Sequence, residues 1–423
     1  MHESIQQLIS HTAERLGLHT YYLKHHYFTK QKNAIGEIQY ELTMEWFPND
    51  HTDHQEDELN PPGTAVVDVD IHTGKIQTII FVEGTSYSTS ESLANIASNS
   101  EAAIEWIEEM TDLEFGRQFQ LISESEREMQ FRAAVDNIPV YPGGVIQVEF
   151  NQEGQLVLFS INGSFPSEHQ IHWEPFALTP SIVEPIASNQ CKLFEIPVES
   201  AQEWKSIYGT TTFFLTNNGK TALAYESVEA SSFQYHIDQI ITWEGTTNQS
   251  IPLKEIDLST EVTEEQALTN LADTEISTLS SAKKTKAREA VQRLLQQEFS
   301  EDSGKWRLAT IYREHTYLFA ELRPVEPGHR IIEPKLTMIL DASTLEPLNY
   351  TDNRILMEIF QDFKVADTPV ITKKEAFEKL HNHLEITPVY VYQPHQKSYI
   401  LCGKIECANG VDAVTGEVVN LDE

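Results

Sequence analysis

Apolar residues along this chain follow two rhythms. Ile5, Leu8, Ile9 and Leu16 share a helical spacing, as do Ala103, Trp106, Ile107 and Met110. Ala287, Ala290, Val291, Leu294 and Leu295 form the clearest such stripe, and Phe377, Leu380 and Leu384 form the last. Recurrence at i, i+3, i+4 and i+7 predicts amphipathic helices with one buried face. Between these stripes the period drops to two. Residues 35–47, 64–71 and 75–82 alternate, then 131–135, 138–150 and 155–161. The pattern returns at 211–215, 221–226 and 233–243, at 306–313, 316–323 and 335–342, and at 389–393 and 399–405. Alternation of this kind puts one face of a strand on a core and the other in water.

Start and stop signals sharpen these elements. Ser98–Ala102, Thr263–Ala267 and Thr372–Ala376 read [ST]-x-x-[EQ]-Ala, and Ser200–Glu203 repeats the first four positions. In such a capping box the hydroxyl accepts a first-turn amide, and the Glu or Gln reaches back to the cap's own N–H. Ile371 precedes its cap, where it can staple onto Ala376. Gly17 suits the left-handed end of the first helix. Asp70-Ile-His-Thr-Gly74 and Asp412-Ala-Val-Thr-Gly416 place an Asp before a Thr-Gly turn between strands. Asp341–Glu346 keeps the Asp and Thr without the Gly, and Asn151–Gly154 is a shortened version. Stretches 48–62, 165–192 and 246–262 are polar or proline-containing and read as loops or linkers.

The expected fold class is therefore α+β: tandem repeated modules, each a helix packed on a small antiparallel sheet. The expected bounds are 1–90, 98–165, a degenerate third module at 166–250, 262–350 and 370–423, with a break near 246–262. The cap, the aromatic-rich strand and the closing turn together resemble the YcdB/YcdC repeat of bacilli, itself similar to PepSY modules. The matching residues are ITKKEAFEKL at 371–380 and VDAVTGEV at 411–418. Residues 131–156 also resemble that family's strand pair, with Asn137 where Gly is usual. The resemblance implies α+β modules without catalytic residues, and a peptide-binding or peptidase-inhibiting role of the kind proposed for PepSY modules.

Composition narrows the function classes. Among 423 residues, 65 acids face 30 bases, for a formal charge of −35. Such a surface repels phosphate backbones and anionic leaflets, which argues against nucleic acid as a partner. No apolar run is long enough to predict membrane insertion. Three cysteines, Cys191, Cys402 and Cys407, are too few to staple a chain of this size. These features predict a cytoplasmic protein, with export after removal of a leader as the alternative.

Candidate chemistry is sparse. His51, Asp53 and His54 in an acidic loop are the one candidate metal site, and they lack the Glu of H-E-x-x-H and the central Gly of a calcium loop. Tyr21, Tyr22, His25, His26 and Tyr27 read as a half-buried first strand or as a ligand-facing one. Tyr312, Tyr317 and Tyr390 are anchors if exposed and core residues otherwise. No nucleophile elbow, P-loop or dinucleotide fingerprint is present, and no cofactor is expected. The expected function is a non-enzymatic interaction protein that binds a peptide or protein, basic or a peptidase, as an inhibitor or regulator. The alternative is a metal-dependent hydrolase with a site between modules near His51 and His54.

Overall fold

The computed structural model describes residues 1–49, 59–94, 96, 100–229, 234–245, 251–269 and 279–421. It is a mixed α and β protein, mostly antiparallel sheet. The chain divides into two compact units. The first comprises Met1–Glu174, Ser259–Thr274 and Pro388–Leu401, and the second Pro175–Leu258, Glu275–Thr387 and Cys402–Glu423. No helix among the described residues is long and apolar enough to cross a membrane, which says nothing of a β-barrel.

In the first unit the strand order begins with Glu385–Gln393, Ile138–Tyr141, Glu128–Val135, Val145–Phe150 and Leu156–Asn162. It continues through Ile76–Phe81, Ala65–Asp70, Ile38–Pro48, Tyr21–Lys32 and Glu261–Val262. Tyr390 and Val391 pair parallel to Val140 and Tyr141; the first strand and its partner pair antiparallel. Helices Glu3–Arg15 and Ser100–Thr111 cover one face of this sheet. Ile5, Ala103, Trp106, Ile107 and Met110 share a single core with Leu42, Met44, Val67, Val69, Ile79, Ile146 and Phe159. The helical and alternating residues expected from the pattern are the ones that meet there.

In the second unit, strands Tyr235–Ile241, Trp306–Glu314, Tyr317–Pro324, Leu336–Asp341 and Pro347–Asp352 form a five-stranded sheet. Helix Ser281–Glu298 lies on it through Ala287, Ala290, Val291, Leu294 and Leu295. A four-stranded sheet of Cys191–Val198, Glu203–Thr210, Asn409–Asp412 and Val418–Asn420 carries helix Lys373–Leu380. Ala376 and Leu380 bury against Cys191 and Val411 there, with Ile371 packed beside them.

Local signals explain several element ends. Thr263 and Thr372 make capping boxes with Gln266 and Glu375. Ser200 does not start a helix. It lies in the turn of a hairpin between Cys191–Val198 and Glu203–Thr210, with Gln202 at φ +50°. The residues after this turn alternate, and no helical stripe exists to bury. The stretch read as a loop at 165–192 contains helix Pro180–Gln190, despite Pro185 in its interior. Val183 and Ala187 bury there against Phe213, Leu215 and Ile405, and that burial offsets the missing proline N–H.

The three Asp-Thr turns are one device. Asp70 Oδ1 accepts from the His72 and Thr73 amides at 3.0 and 2.7 Å. Asp412 Oδ1 accepts from those of Val414 and Thr415 at 2.8 Å each. Asp341 Oδ1 does the same with Ser343 and Thr344 at 2.9 and 2.8 Å. The Ser343 hydroxyl and then the Thr344 amide hold the Asp341 carboxyl down at about 2. Gly74, Gly416 and Leu345 take the left-handed position, at φ +69°, +73° and +65°. Leu345 accepts that strain and is buried in the core of the five-stranded sheet.

Gly17 ends the first helix at φ +60°, with Leu18 N donating to Ala13 O at 2.9 Å. A Cβ there would lie 2.4 Å from Ser90 N. Gly17→Ala is expected to cost about 2 kcal/mol or more in denaturant unfolding, because strain and overlap add. A loss of only a few tenths would show that the Thr89–Ser90 backbone yields without cost.

Candidate functional site

Among the described residues both long helices of the first unit lie on one face of its sheet, and the other face follows from strand alternation. In strand Ile38–Pro48, Leu42, Met44 and Trp46 point into the core, which turns Glu41, Thr43 and Glu45 to the opposite side. Register carries this polar identity across the sheet. Tyr27 pairs with Thr43, Thr43 with Asp68 and Asp68 with Thr78. The row continues through Ser160, Gln147 and Gln130 to Ser123. Beside it, Thr29 faces Glu41 and Glu41 faces Asp70. Glu37, at the tip of the first hairpin, stands close enough to Tyr392 and Tyr399 to add to the rise of both phenols, which burial dominates.

The face is rich in carboxylates served by neutral donors. Thr43 Oγ1 donates to Asp68 Oδ1 at 2.6 Å, and Gln31 Nε2 to Glu41 Oε2 at 3.0 Å. Gln147 donates to Glu149 at 2.6 Å and Gln130 to Glu128 at 2.5 Å. Among the described residues, none of Glu41, Asp68, Glu128 and Glu149 has a Lys, Arg or His ion-pair partner. Glu41 is only 8% exposed. Burial first, then the Asp68 and Asp70 carboxylates, push its carboxyl up to about 7. Burial and then Glu45 raise the Tyr27 phenol as well. Thr29 is also 8% exposed, and its Oγ1 has no hydrogen-bond partner.

At one end the face turns aromatic. Tyr22 and His25 pack edge-on to Phe47, with ring centroids 6.1 and 6.2 Å apart. The first strand is half-buried: Tyr21 and Phe28 enter the core, while Tyr22, His25 and Tyr27 look the other way. An irregularity in register between Leu23 and His25 separates the two groups.

No protein-family model matches this chain, and no curated protein does. Among solved structures it is similar to the Bacillus megaterium YpeB C-terminal domain, at 9% identity and a TM-score of 0.25. That alignment covers 83% of this chain and 97% of the other. So slight a likeness carries neither fold nor function.

His51, Asp53 and His54 lie outside the described residues. Among the described residues, no group of three or more His, Cys, Asp or Glu side chains is placed to hold a metal ion. Cys191 and Cys402 are buried, Cys407 is half-buried, and all three are thiols. Burial raises both the Cys191 and Cys407 thiols. Of the tyrosine anchors, Tyr390 is 2% exposed. Tyr312 stacks on Phe319 at 5.3 Å, and burial pushes its phenol to about 12. Tyr317 OH accepts from the Asp257 amide at 3.2 Å. Sequence reasoning did not single out Glu41, Thr29 or Asp68. Their one signal was the alternation of IQYELTMEWF and AVVDVD, which marks a polar face without ranking its members.

Proposed function

We propose that this chain is a non-enzymatic interaction protein whose first unit receives a basic peptide or protein segment on the polar face of its sheet. A role as an inhibitor or regulator of a peptidase fits this reading. The observation that carries it is the run of carboxylates on a helix-free face with no cation paired to Glu41, Asp68, Glu128 or Glu149 among the described residues. A basic segment supplies the missing charge, and a net charge of −35 speeds its approach at low salt. The chain is also read as tandem helix-and-sheet modules at 1–90, 98–165, 166–250, 262–350 and 370–423. Recurrence of one turn at Asp70, Asp341 and Asp412 supports common building blocks.

The test is fluorescence anisotropy with a labelled nonapeptide of alternating lysine and threonine. Specific docking is distinguished from general attraction by two triple variants of equal charge. Neutralising Glu45, Asp68 and Glu149 to their amides is expected to weaken binding about tenfold or more. Neutralising Glu101, Glu105 and Glu109 on helix Ser100–Thr111 is expected to weaken it by less than about twofold. Equal effects of the two variants would reduce the interaction to bulk charge and remove the reading.

A further inference from the structure

Resting on that reading, we infer that Thr29 and Glu41 form a subsite for a single lysine ammonium of the bound segment. Two side chains more than nine-tenths buried stand opposite each other on one face, a carboxylate and a hydroxyl whose oxygen has no partner. Directly paired residues on one face bring their side chains within reach of a shared ligand atom. A buried hydroxyl left without a hydrogen bond is costly, and a native sheet retains one where something else satisfies it. An ammonium has three donors and matches this set: two acceptors from Glu41 and Thr29, in the field of Asp68 and Asp70.

Access runs through Gln31. This residue is exposed, and its amide donates to Glu41 Oε2 at 3.0 Å, the place a ligand N–H would take. Rotation of that one side chain into water uncovers the carboxylate. The groups facing Glu41 are Tyr27, Thr29 and Gln31 from the first strand and Thr43 and Glu45 from its own. Asp68 and Asp70 face it from Ala65–Asp70, and Glu261 faces Thr29 from the short edge strand. None of these is cationic. Lys30 and Lys32 pair with Tyr40 and Ile38, on the alternate side of the strand. Near neutral pH part of the Glu41 population holds a proton. An arriving ammonium displaces it, and the proton leaves to solvent, so binding strengthens as pH rises toward 8.

The experiment compares two arginine-flanked nonapeptides that differ only in the central residue, lysine or Nε-trimethyllysine. Both carry the same charge, and only lysine retains N–H donors at that position. At pH 8 the full-length protein is expected to bind the lysine form about tenfold more tightly. That preference shrinks at pH 6. Glu41→Gln and Thr29→Val, both close in shape to the native side chain, are expected to cut that preference below about twofold. Circular dichroism checks that each variant is folded, and the comparison of two peptides on the native protein stands without either. Equal binding of the two peptides at pH 8 overturns the subsite and leaves the docking face intact. A preference that survives in both variants also overturns the subsite. Binding of neither peptide sinks the subsite and the docking face together.

Discussion

Glu41→Gln is expected to stabilise the protein at pH 8 and to do so far less at pH 5. The carboxyl of Glu41 sits at about 7 in the fold against an ordinary 4.5, because it is buried beside Asp68 and Asp70. A raised folded-state pKa means that the native state binds more protons than the unfolded chain between those two values. Stability from this group is therefore full at low pH, falls as pH rises from 4.5 to about 7, and stays reduced above. The shift corresponds to about 3 kcal/mol. An amide carries no charge at any pH, so the variant escapes this loss. Urea unfolding of both chains at pH 5, 6, 7 and 8 reads the difference directly. If the two stability profiles stay parallel, Glu41 is hydrated in the fold and the crowding of carboxylates around it is unimportant.

Trp106→Ala carries the other large expected effect, a loss of about 3–5 kcal/mol in unfolding. Trp106 is 7% exposed and sets its ring edge-on to Phe159, with centroids 5.0 Å apart at 87°. It is the largest side chain that helix Ser100–Thr111 contributes to the shared core. Removing it leaves a cavity between the helix and the strands whose outer faces carry Asp68, Ser160 and Gln147. Unfolding monitored by tryptophan fluorescence and circular dichroism measures the cost. A loss below about 1 kcal/mol would mean that the helix only rests on the sheet and does not hold its shape.

What the pattern reveals of this fold divides by range. Thr263 and Thr372 announce their helices because a cap is a conversation between residues three apart. The turns at Asp70 and Asp412 were legible for the same reason. The cap signal at Ser200 misled because four residues of it occur without a stripe behind them, and EWKSIYGT alternates instead. Helix Pro180–Gln190 was hidden by its two prolines and became visible only through the core that Val183 and Ala187 bury against. Asn137 stands where the resembled strand pair has Gly, and it takes φ +64°, the conformation that a Gly would supply.

The docking face shows the division most clearly. Its polarity was written in the alternation of strands Ile38–Pro48 and Ala65–Asp70. Its electrostatics were not. Residues 29, 41 and 70 come from three strands, and register alone sets them side by side. Nothing local distinguishes Glu41 from Glu45, yet register and packing bury Glu41 beside two carboxylates that hold it near neutral pH. By itself the sequence determined most helices, strands and turns and the sign of the charge, all of which depend on contacts within a few residues or on simple counting. The tertiary structure decided which carboxylates crowd together and which hydroxyl is left without a partner. Those depend on distances between segments far apart in the chain, and no periodicity encodes them.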